Sequence, residues 1–536
     1  KLVSNDTEAS NNVGLSIAEF DEWQLSAAGT VDVNDAISVR ISVQNTQSDG
    51  FVKNQFLNRE DTNGVDELTA KATLFYDIDD TSSLQASLYR FDIDNGYDAF
   101  SLDNDNVTRS DQPGFDKTDA DALSVKYSKD FGTIQLQTIA SRLDGEFDYA
   151  YDEDWTFVGF HPFAYSSFDR YLRDIERTKL TVRVADDSSD QQRWLAGVNY
   201  FANDESLLRE YTFNEGDFTS EYDPTTIALF GQYAWRLSEN INVISAARLE
   251  SFSADYSDND GFEESLDDTL FAGSVEVQYD IGNNLVYSSV SRGYKAGGFN
   301  IDQRLTGDNR TFSPEYNWNI EAGIRGMALD GIAQVAVGLF YMKRTNAQVN
   351  DFATFERVTD EGTTVTSFAD AIRNTDTGTN KGVELSSTWF IHPDWTVQLN
   401  AGYLDATFGN YNRLDGSFVP KQDQAQAPEF TLYASSTYAF SDLLTWFIDI
   451  DAKDEFRFSD GHNERAPFTV VVNTNVSIEL GQSTLSFWVK NLFDRTVFTR
   501  GFGGFSNDPR DEFAFVEPYF QFGQQRQIGA SYTYSF

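Results

Sequence analysis

The feature of this sequence that most restricts its fold is an alternation of apolar and polar residues that recurs in one segment after another. Residues 470–480 read VVVNTNVSIEL and residues 271–280 read FAGSVEVQYD, both with a period of two. An extended strand sends successive side chains to opposite faces, so each segment predicts a strand with one apolar and one polar face. Both a sandwich of two sheets and a closed barrel would show this pattern.

The connections between the predicted strands favour the barrel. Ten short turns are predicted, and long, polar, aromatic-rich segments lie between them, so short and long connections alternate along the chain. Outer-membrane barrels alternate in this way, with short periplasmic turns and long extracellular loops. Ten turns with both chain ends on one side predict an all-β, antiparallel transmembrane barrel of about 22 strands, a size at which transporters hold a plugged lumen. The predicted turns are at residues 33–35, 79–82, 130–132, 186–190, 238–240, 282–284, 329–331, 392–394, 441–443 and 480–482.

The alternation also predicts which side chains face lipid and which face the lumen. A slip of one residue would exchange the two faces, so each strand is a separate test. The apolar set expected to face lipid is Val275, Val277, Trp446, Ile448, Val472, Val476 and Ile478. The polar set expected to face the lumen is Glu276, Gln278, Asp449, Asn473, Asn475 and Glu479.

Charge restricts the possible partners. The 536 residues include 40 Lys and Arg against 85 Asp and Glu, which gives a net charge of −45. Nucleic acid is excluded as a partner, because phosphate binding needs clustered cations. A strongly anionic ligand is also disfavoured unless Lys and Arg cluster locally. No stretch of about 18 apolar residues predicts a transmembrane helix.

Residues that carry covalent chemistry are scarce. The chain has no Cys and three His, which lie in unrelated segments at positions 161, 392 and 462. No nucleophile–base–acid set, metal-ligand spacing or cofactor fingerprint is present. We therefore expect neither an enzyme nor a bound metal or cofactor.

Four segments resemble the TonB-dependent outer-membrane receptors, and in particular their iron-complex, or siderophore, class. They occur in the order found in that family, and the resemblance extends over roughly residues 23–536. The segments are SRGYKAGGFN at residues 291–300, NTDTGTNKGVEL at 374–385, VKNLFD at 489–494 and a last strand that ends in Phe536.

This resemblance implies a function in active transport. A receptor of this family lies in the bacterial outer membrane, binds a scarce nutrient at its extracellular loops, and imports it with energy from the TonB–ExbB–ExbD complex. The ligand implied is a small molecule, a ferric siderophore or another iron complex. The alternatives are a TonB-dependent importer of an oligosaccharide or cobalamin, and a passive porin, which would have about 16 to 18 strands.

One part of the family pattern is not found in the sequence. Family members carry a globular plug and a short TonB-binding box before the barrel. We expect residues 1–536 to form the barrel domain alone. The inward side chains are small and polar, so we also expect a separate plug domain to fill the lumen.

Two segments supply candidate ligand-binding residues. Residues 147–171 hold ten aromatic side chains, which suit either a clamp over a flat ligand or a folded loop with its own core. In the first motif the cations suit an anionic ligand or an acidic plug face, and the alternative is that the motif only shapes a strand end. The candidates are Tyr149, Tyr151, Trp155, Phe160, His161, Arg170, Arg292, Tyr294, Lys295 and Asn300.

Overall fold

The computed structural model describes residues 11–160, 166–213, 216–302, 304–358, 364–414, 416–503 and 505–536. Its main sheet is one antiparallel barrel of 22 strands, to which the two-residue strand Gln422–Asp423 adds a short pairing. The barrel closes where the first strand pairs with the last, with Leu15 opposite Tyr532. Closure leaves the main sheet without an unpaired edge, which a sheet in a membrane requires.

The strands follow one another around the barrel in sequence order. They are β1 Asn12–Ala18, β2 Trp23–Asn34, β3 Ile37–Ser48, β4 Val65–Asp79, β5 Ser82–Tyr97, β6 Gly114–Asp130, β7 Gln135–Asp152, β8 Phe168–Asp186, β9 Gln192–Tyr211, β10 Phe218–Ser238, β11 Ile241–Asp258, β12 Glu263–Ile281, β13 Asn284–Lys295, β14 Glu315–Ala328, β15 Ala333–Val358, β16 Thr364–His392, β17 Trp395–Phe408, β18 Phe430–Ser441, β19 Leu444–Lys453, β20 Thr469–Leu480, β21 Ser483–Lys490 and β22 Gln527–Ser535.

The remaining elements are short and lie in the connections. Further strands are Lys53–Asn54, Val107–Thr108, Gly298–Phe299, Thr311–Phe312, Tyr411–Asn412, Phe418–Val419, Phe456–Arg457, Arg465–Ala466, Phe498–Phe502 and Tyr519–Phe522. Three 3₁₀ turns are Gly307–Arg310, Leu329–Gly331 and Pro509–Asp511. None of the helices in the described residues has the length and apolar character that a membrane span requires.

The structure confirms the predicted connections. Each of the ten predicted short turns joins two consecutive strands, and the strand count is the predicted one. Both ends of the described chain lie on the short-turn side, where the amide of Phe536 donates to the carbonyl of Asn11 at 2.9 Å. The other end of the barrel carries the long loops. The loops used below span residues 98–113, 153–167, 296–314, 454–468 and 491–526.

The two faces of the wall are also those predicted. Directly opposed residues of paired strands share a face. Trp446 lies opposite Val476, and Ile450 lies opposite Val472, so these residues belong to the apolar face. Asp449 lies opposite Asn473, and both belong to the polar face. Because a barrel in a membrane turns its apolar face to the hydrocarbon, the polar residues line the lumen.

Candidate functional site at the loop end

An aromatic cluster joins three long loops at one side of the barrel mouth. The loop 98–113 contributes Leu102, the loop 153–167 contributes Trp155, and the loop 491–526 contributes Tyr519, all three almost fully buried. Phe100, Phe160, Phe502 and Phe505 pack around them. The loops therefore share a core of their own, which fixes their positions above the lumen.

The ring geometry shows how the cluster reaches the barrel wall. Trp155 stacks on Phe100 with ring centres 5.0 Å apart and meets Tyr519 edge-on at 4.9 Å. Phe100 in turn lies 5.6 Å from Tyr151, and Tyr97 lies 5.1 Å from Tyr149. Tyr149 and Tyr151 belong to β7, so the cluster continues from the loops onto the lumen face of the strand ends.

Below the cluster, a buried carboxylate holds several side chains in place. Arg209 donates to both oxygens of Asp169 at 2.9 and 2.8 Å, and the hydroxyls of Tyr151 and Tyr171 donate to the same carboxylate at 3.2 and 3.0 Å. Asp169 is 1% exposed. A buried carboxylate with a bidentate cation is a strong, rigid contact, so these tyrosine rings are preorganised.

The loop that carries Trp155 is fastened at both of its ends. Asp152 accepts the backbone amide of Trp155 at 2.8 Å and the hydroxyl of Ser110 at 2.5 Å. At the other end Ser167 donates to Glu153 at 2.6 Å. Burial raises the pKa of the Glu153 carboxyl above its ordinary value. A carboxyl in such surroundings stabilises the loop through its hydrogen bonds more than through its charge.

Loops 98–113 and 491–526 are joined by charged and amide contacts. Asp103 pairs with Arg109 at 2.7 Å and with Arg510 at 2.8 Å. Asn104 donates to the carbonyl of Pro518 at 2.9 Å and accepts the amide of Phe520 at 2.7 Å. The two loops thus form one unit although they are more than 400 residues apart in the chain.

One cation beside this cluster has no acidic partner among the described residues. Arg500 is exposed, and its guanidinium lies 4.8 Å from the ring centre of Phe502. A guanidinium stacked on a ring but lacking a carboxylate can bind an anion, so Arg500 adds a charged contact to the aromatic surface.

The candidates of the first motif lie elsewhere and serve different contacts. Asn300 accepts the amide of Ile372 at 2.7 Å and donates to the carbonyls of Ile372 and Asn309 at 2.9 and 2.8 Å. Its amide group is therefore used in fastening the loop 296–314 to β16. Tyr294 accepts a hydrogen bond from Arg248 at 3.1 Å, and Lys295 is an exposed residue opposite Glu315.

Arg292 and Arg170 both lie on the outward face. Arg292 is opposite Trp318, which is 53% exposed on the apolar face, and its guanidinium sits 4.4 Å from the ring centre of Tyr316. Arg170 pairs with Asp148 and Glu210, both at 2.7 Å. Arg170 alternates with the lumen-facing Asp169 and Tyr171 of β8, and Arg292 lies on β13, so neither guanidinium joins the aromatic cluster.

The structure thus brings together four of the ten candidates. Tyr149, Tyr151, Trp155 and Phe160 share the aromatic cluster, whereas His161 lies outside the described residues. Sequence reasoning missed the partners contributed by other loops. A signal was available for some of them, because residues 498–522 hold eight aromatic side chains in the longest connection. The missed residues are Tyr97, Phe100, Arg209, Arg500, Phe502, Phe505 and Tyr519, whereas Tyr171 belongs to the predicted aromatic segment but is not one of the ten candidates.

Comparison with curated proteins gives distant relatives of one kind. The chain is 25% identical to the pesticin receptor of Yersinia pestis over 310 residues, which are 54% of this chain and 42% of that protein. It is 25% identical to the pesticin receptor of Yersinia enterocolitica over 223 residues, 39% of this chain and 30% of that protein. The chain spans less than half the length of these relatives.

Solved structures share the fold at low identity. The ferric yersiniabactin uptake receptor FyuA from Yersinia pestis superimposes with a TM-score of 0.83 at 16% identity, covering 100% of this chain and 81% of that one. The siderophore receptor PiuA from Acinetobacter baumannii gives 0.78 at 12% identity, covering 100% and 82%. The ferric-catecholate import receptor Fiu from E. coli K12 gives 0.72 at 15% identity, covering 100% and 82%.

A family model provides the assignment. The model described as TonB dependent receptor-like, beta-barrel, matches residues 61–492, which is more than half of the chain. The barrel, its alternating faces and its long loops agree with that match. The chain therefore belongs to the TonB-dependent receptor β-barrel family and is a protein of the bacterial outer membrane.

Proposed function

We propose that this chain is the barrel of an active-transport receptor that binds a ferric siderophore at its extracellular loops and imports it. The observation that carries the proposal is the aromatic cluster at the loop end, beside which Arg500 has no acidic partner among the described residues. Flat aromatic surfaces with a few placed polar groups are typical of small-molecule sites. Family membership and the titles of FyuA, PiuA and Fiu support the choice of an iron complex.

Ligand binding on this surface involves no covalent step by the protein. Tyr97, Tyr149 and Phe502 offer ring faces for the organic part of a chelate, and Arg500 offers charge to its anionic groups. The network around Asp169 keeps neighbouring tyrosines in place before the ligand arrives. Such preorganisation reduces the entropy lost on binding.

Transport through the barrel requires a gate. The lumen rows hold small polar residues such as Ser141, Asn199 and Ser124, which cannot fill a barrel of this size. We propose that a separate globular plug domain occupies the lumen and that the TonB complex supplies the energy that moves it. The plug then couples occupancy of the loop site to release on the periplasmic side.

Iron uptake by cells tests this function. Cells that depend on this receptor are starved of iron and given radioactive iron as a panel of ferric chelates. We expect uptake of one chelate class to require both the receptor and TonB. The matched control is a strain that lacks TonB but displays the receptor normally. Uptake that is unchanged without the receptor, or that persists without TonB, would contradict the proposal and favour a passive pore.

A further inference from the structure

The lumen face of β8 carries a series of four cations. Arg173, Arg177, Lys179 and Arg183 occupy odd-numbered positions, and we call them the basic ladder. The even-numbered positions of the same stretch hold Leu180, Val182 and Val184, and Leu180 is 40% exposed on the apolar face. A cation on the lipid face near the midplane would cost about 2–4 kcal/mol, so the ladder points into the lumen.

The ladder extends along most of β8, and its loop-side part stands outside the hydrocarbon, because the outward neighbours there are Asp174 and Glu176. Ten residue steps separate Arg173 from Arg183, and a strand rises about 3.3 Å per residue but is tilted by about 35–45° in such a barrel, so the ladder rises roughly 25 Å along the barrel axis. The hydrocarbon core is about 30 Å thick. Arg173 lies on the loop side, and Arg183 lies close to the turn that follows Asp186. The cations therefore run from the mouth almost to the periplasmic end.

The described neighbours of the ladder leave most of its charge without an ion pair. Arg173 has an ion pair, with Glu205 at 3.4 Å. Arg177 donates to the neutral amide oxygen of Asn203 at 2.9 Å. Within the described residues, no ion pair is formed by Arg177, Lys179 or Arg183. Their directly opposed residues are all uncharged: Leu143 and Asn203, Ser141 and Phe201, Gln137 and Gly197.

On the lumen face between β12 and β20, carboxylates outnumber cations. We call five of these carboxylates the acidic wall. Four of them bond to neutral groups: Glu276 to Gln278, Glu321 to Tyr287, Asp449 to Asn473 and Glu479 to Thr484. The fifth is Glu384, opposite Gly338. The acidic residues beside the ladder, Asp174 and Glu176, face outward instead, with Asp144 and Glu146 of β7. Cations therefore predominate on the lumen face of β8, although the chain has a net charge of −45 and Arg325 also faces the lumen beside the acidic wall.

Four like charges in one row repel one another, and no described acid offsets three of them. Such a row attracts anions and concentrates them along a low-dielectric wall. We propose that the basic ladder is a binding track for an anionic solute, along which the ligand passes from the loop site to the periplasm. The inference rests on the proposed function and extends it, because it assigns the imported chelate a net negative charge and a route along β8.

A block measurement on single channels tests the track. The barrel chain is reconstituted in planar bilayers, and inorganic tripolyphosphate is the anionic probe. We expect it to reduce the current, and we expect the half-blocking concentration to rise about tenfold or more in the variant R177Q/K179Q/R183Q. High salt should weaken the block, since exposed charges are screened. The conductance steps of each variant show that it has folded.

The control is a matched variant of the acidic wall, E276Q/E321Q/E384Q, which should leave the half-blocking concentration unchanged or lower it. An equal increase in both variants would overturn the proposal, because the effect would then follow net charge rather than the ladder. No change in the ladder variant would also overturn it. Neither outcome would contradict ferric-chelate import, because the cellular uptake assay tests that function separately.

A second measurement separates a solute track from a surface that only holds the plug. Cells carrying the ladder variant of the whole receptor are tested for uptake of anionic and neutral ferric chelates and for entry of a large antibiotic. We expect slower uptake of the anionic chelate with unchanged binding at the loops. Antibiotic entry together with unchanged anionic uptake would show that the ladder pairs with an acidic plug face, which would overturn the track.

Discussion

The two sides of the barrel mouth are built from different kinds of contact. On the side of β5–β9, aromatic rings from three loops form the cluster, and Arg500 stands beside it without an acidic partner among the described residues. On the side of β11–β16, amide side chains and the buried Arg310–Asp258 ion pair join the loop 296–314 to its neighbours. The first side leaves binding groups available, whereas the second uses its polar groups in holding the loop.

The family motifs lie on the second side. Asn300 of the first motif is bonded to the backbone of Ile372, and Asn374 of the second motif donates to the carbonyl of Ser313 at 2.8 Å and accepts its amide at 2.7 Å. The two motifs therefore brace the same loop from both sides. A shared structural contact of this kind explains how one motif can serve receptors for different ligands.

The largest expected effect is on a buried ion pair of the braced side. Arg310 and Asp258 are 4% and 0% exposed in their side chains, and Arg310 also lies 4.0 Å from the ring centre of Phe262. Arg310→Gln leaves a buried carboxylate unpaired and should lower the free energy of unfolding by about 3–5 kcal/mol.

The matched control is Arg142→Gln, which breaks an exposed pair with Glu176 on the outward face and should cost under about 1 kcal/mol. Denaturant unfolding of both variants measures the difference. Equal destabilisation would show that burial does not set the cost.

A smaller loss of stability is expected when the hydrogen bonds of the Asn300 side chain are removed. Asn300→Ala removes the partner of the Ile372 amide and carbonyl and should destabilise the loop 296–314 by about 1–3 kcal/mol. Hydrogen exchange at the Ile372 amide should accelerate, while binding of the chelate changes little. Loss of chelate binding with unchanged exchange would move Asn300 into the ligand site and break the comparison between the two sides.

On the aromatic side the expected effect is on affinity and not on stability. Arg500→Gln removes an exposed cation and should weaken binding of an anionic chelate about tenfold, which corresponds to about 1.4 kcal/mol. The matched control on the other side is Lys295→Gln, an exposed cation near the braced loop. Titration of the purified receptor with the chelate compares them. If Lys295→Gln weakened chelate binding as much as Arg500→Gln does, the two sides of the barrel mouth would not differ in ligand binding.

The smallest effect concerns the loop 454–468. Burial, together with the charge of Arg457, lowers the pKa of His462 below its ordinary value of about 6.5. The neutral ring accepts the amide of Glu464 at its Nδ1 atom, at 3.3 Å. The unfolded loop binds the proton more readily, so the stability that His462 contributes is full above about pH 6.5 and is lost as pH falls toward the lowered value.

Hydrogen exchange at the Glu464 amide, corrected for its intrinsic pH dependence, should therefore accelerate between about pH 7.5 and about pH 5.5, on either side of that ordinary pKa. His462→Gln should remove this dependence. The same dependence in the variant would assign it to another group.

The barrel could be predicted from sequence because its signals are local. Alternation with a period of two and the short turns are read within about ten residues, and they gave the strand count and the two faces. The site is not local. Leu102, Trp155 and Tyr519 meet across hundreds of residues, and loops have no period that would pair them. Whether Arg170 faces outward or toward the lumen depends on the register of β8. The sequence of this segment predicts an aromatic loop, and a loop has no strand register from which the face could be predicted.

The most direct test of the central claim is a structure of the receptor with its ferric chelate bound. We predict ligand density in contact with Tyr97 and Tyr149, with an anionic group of the chelate at the guanidinium of Arg500. The braced loop 296–314 should keep its hydrogen bonds through Asn300 and contribute few contacts. Density lodged instead against Lys295 and the loop 296–314, with the aromatic cluster left empty, would contradict this account.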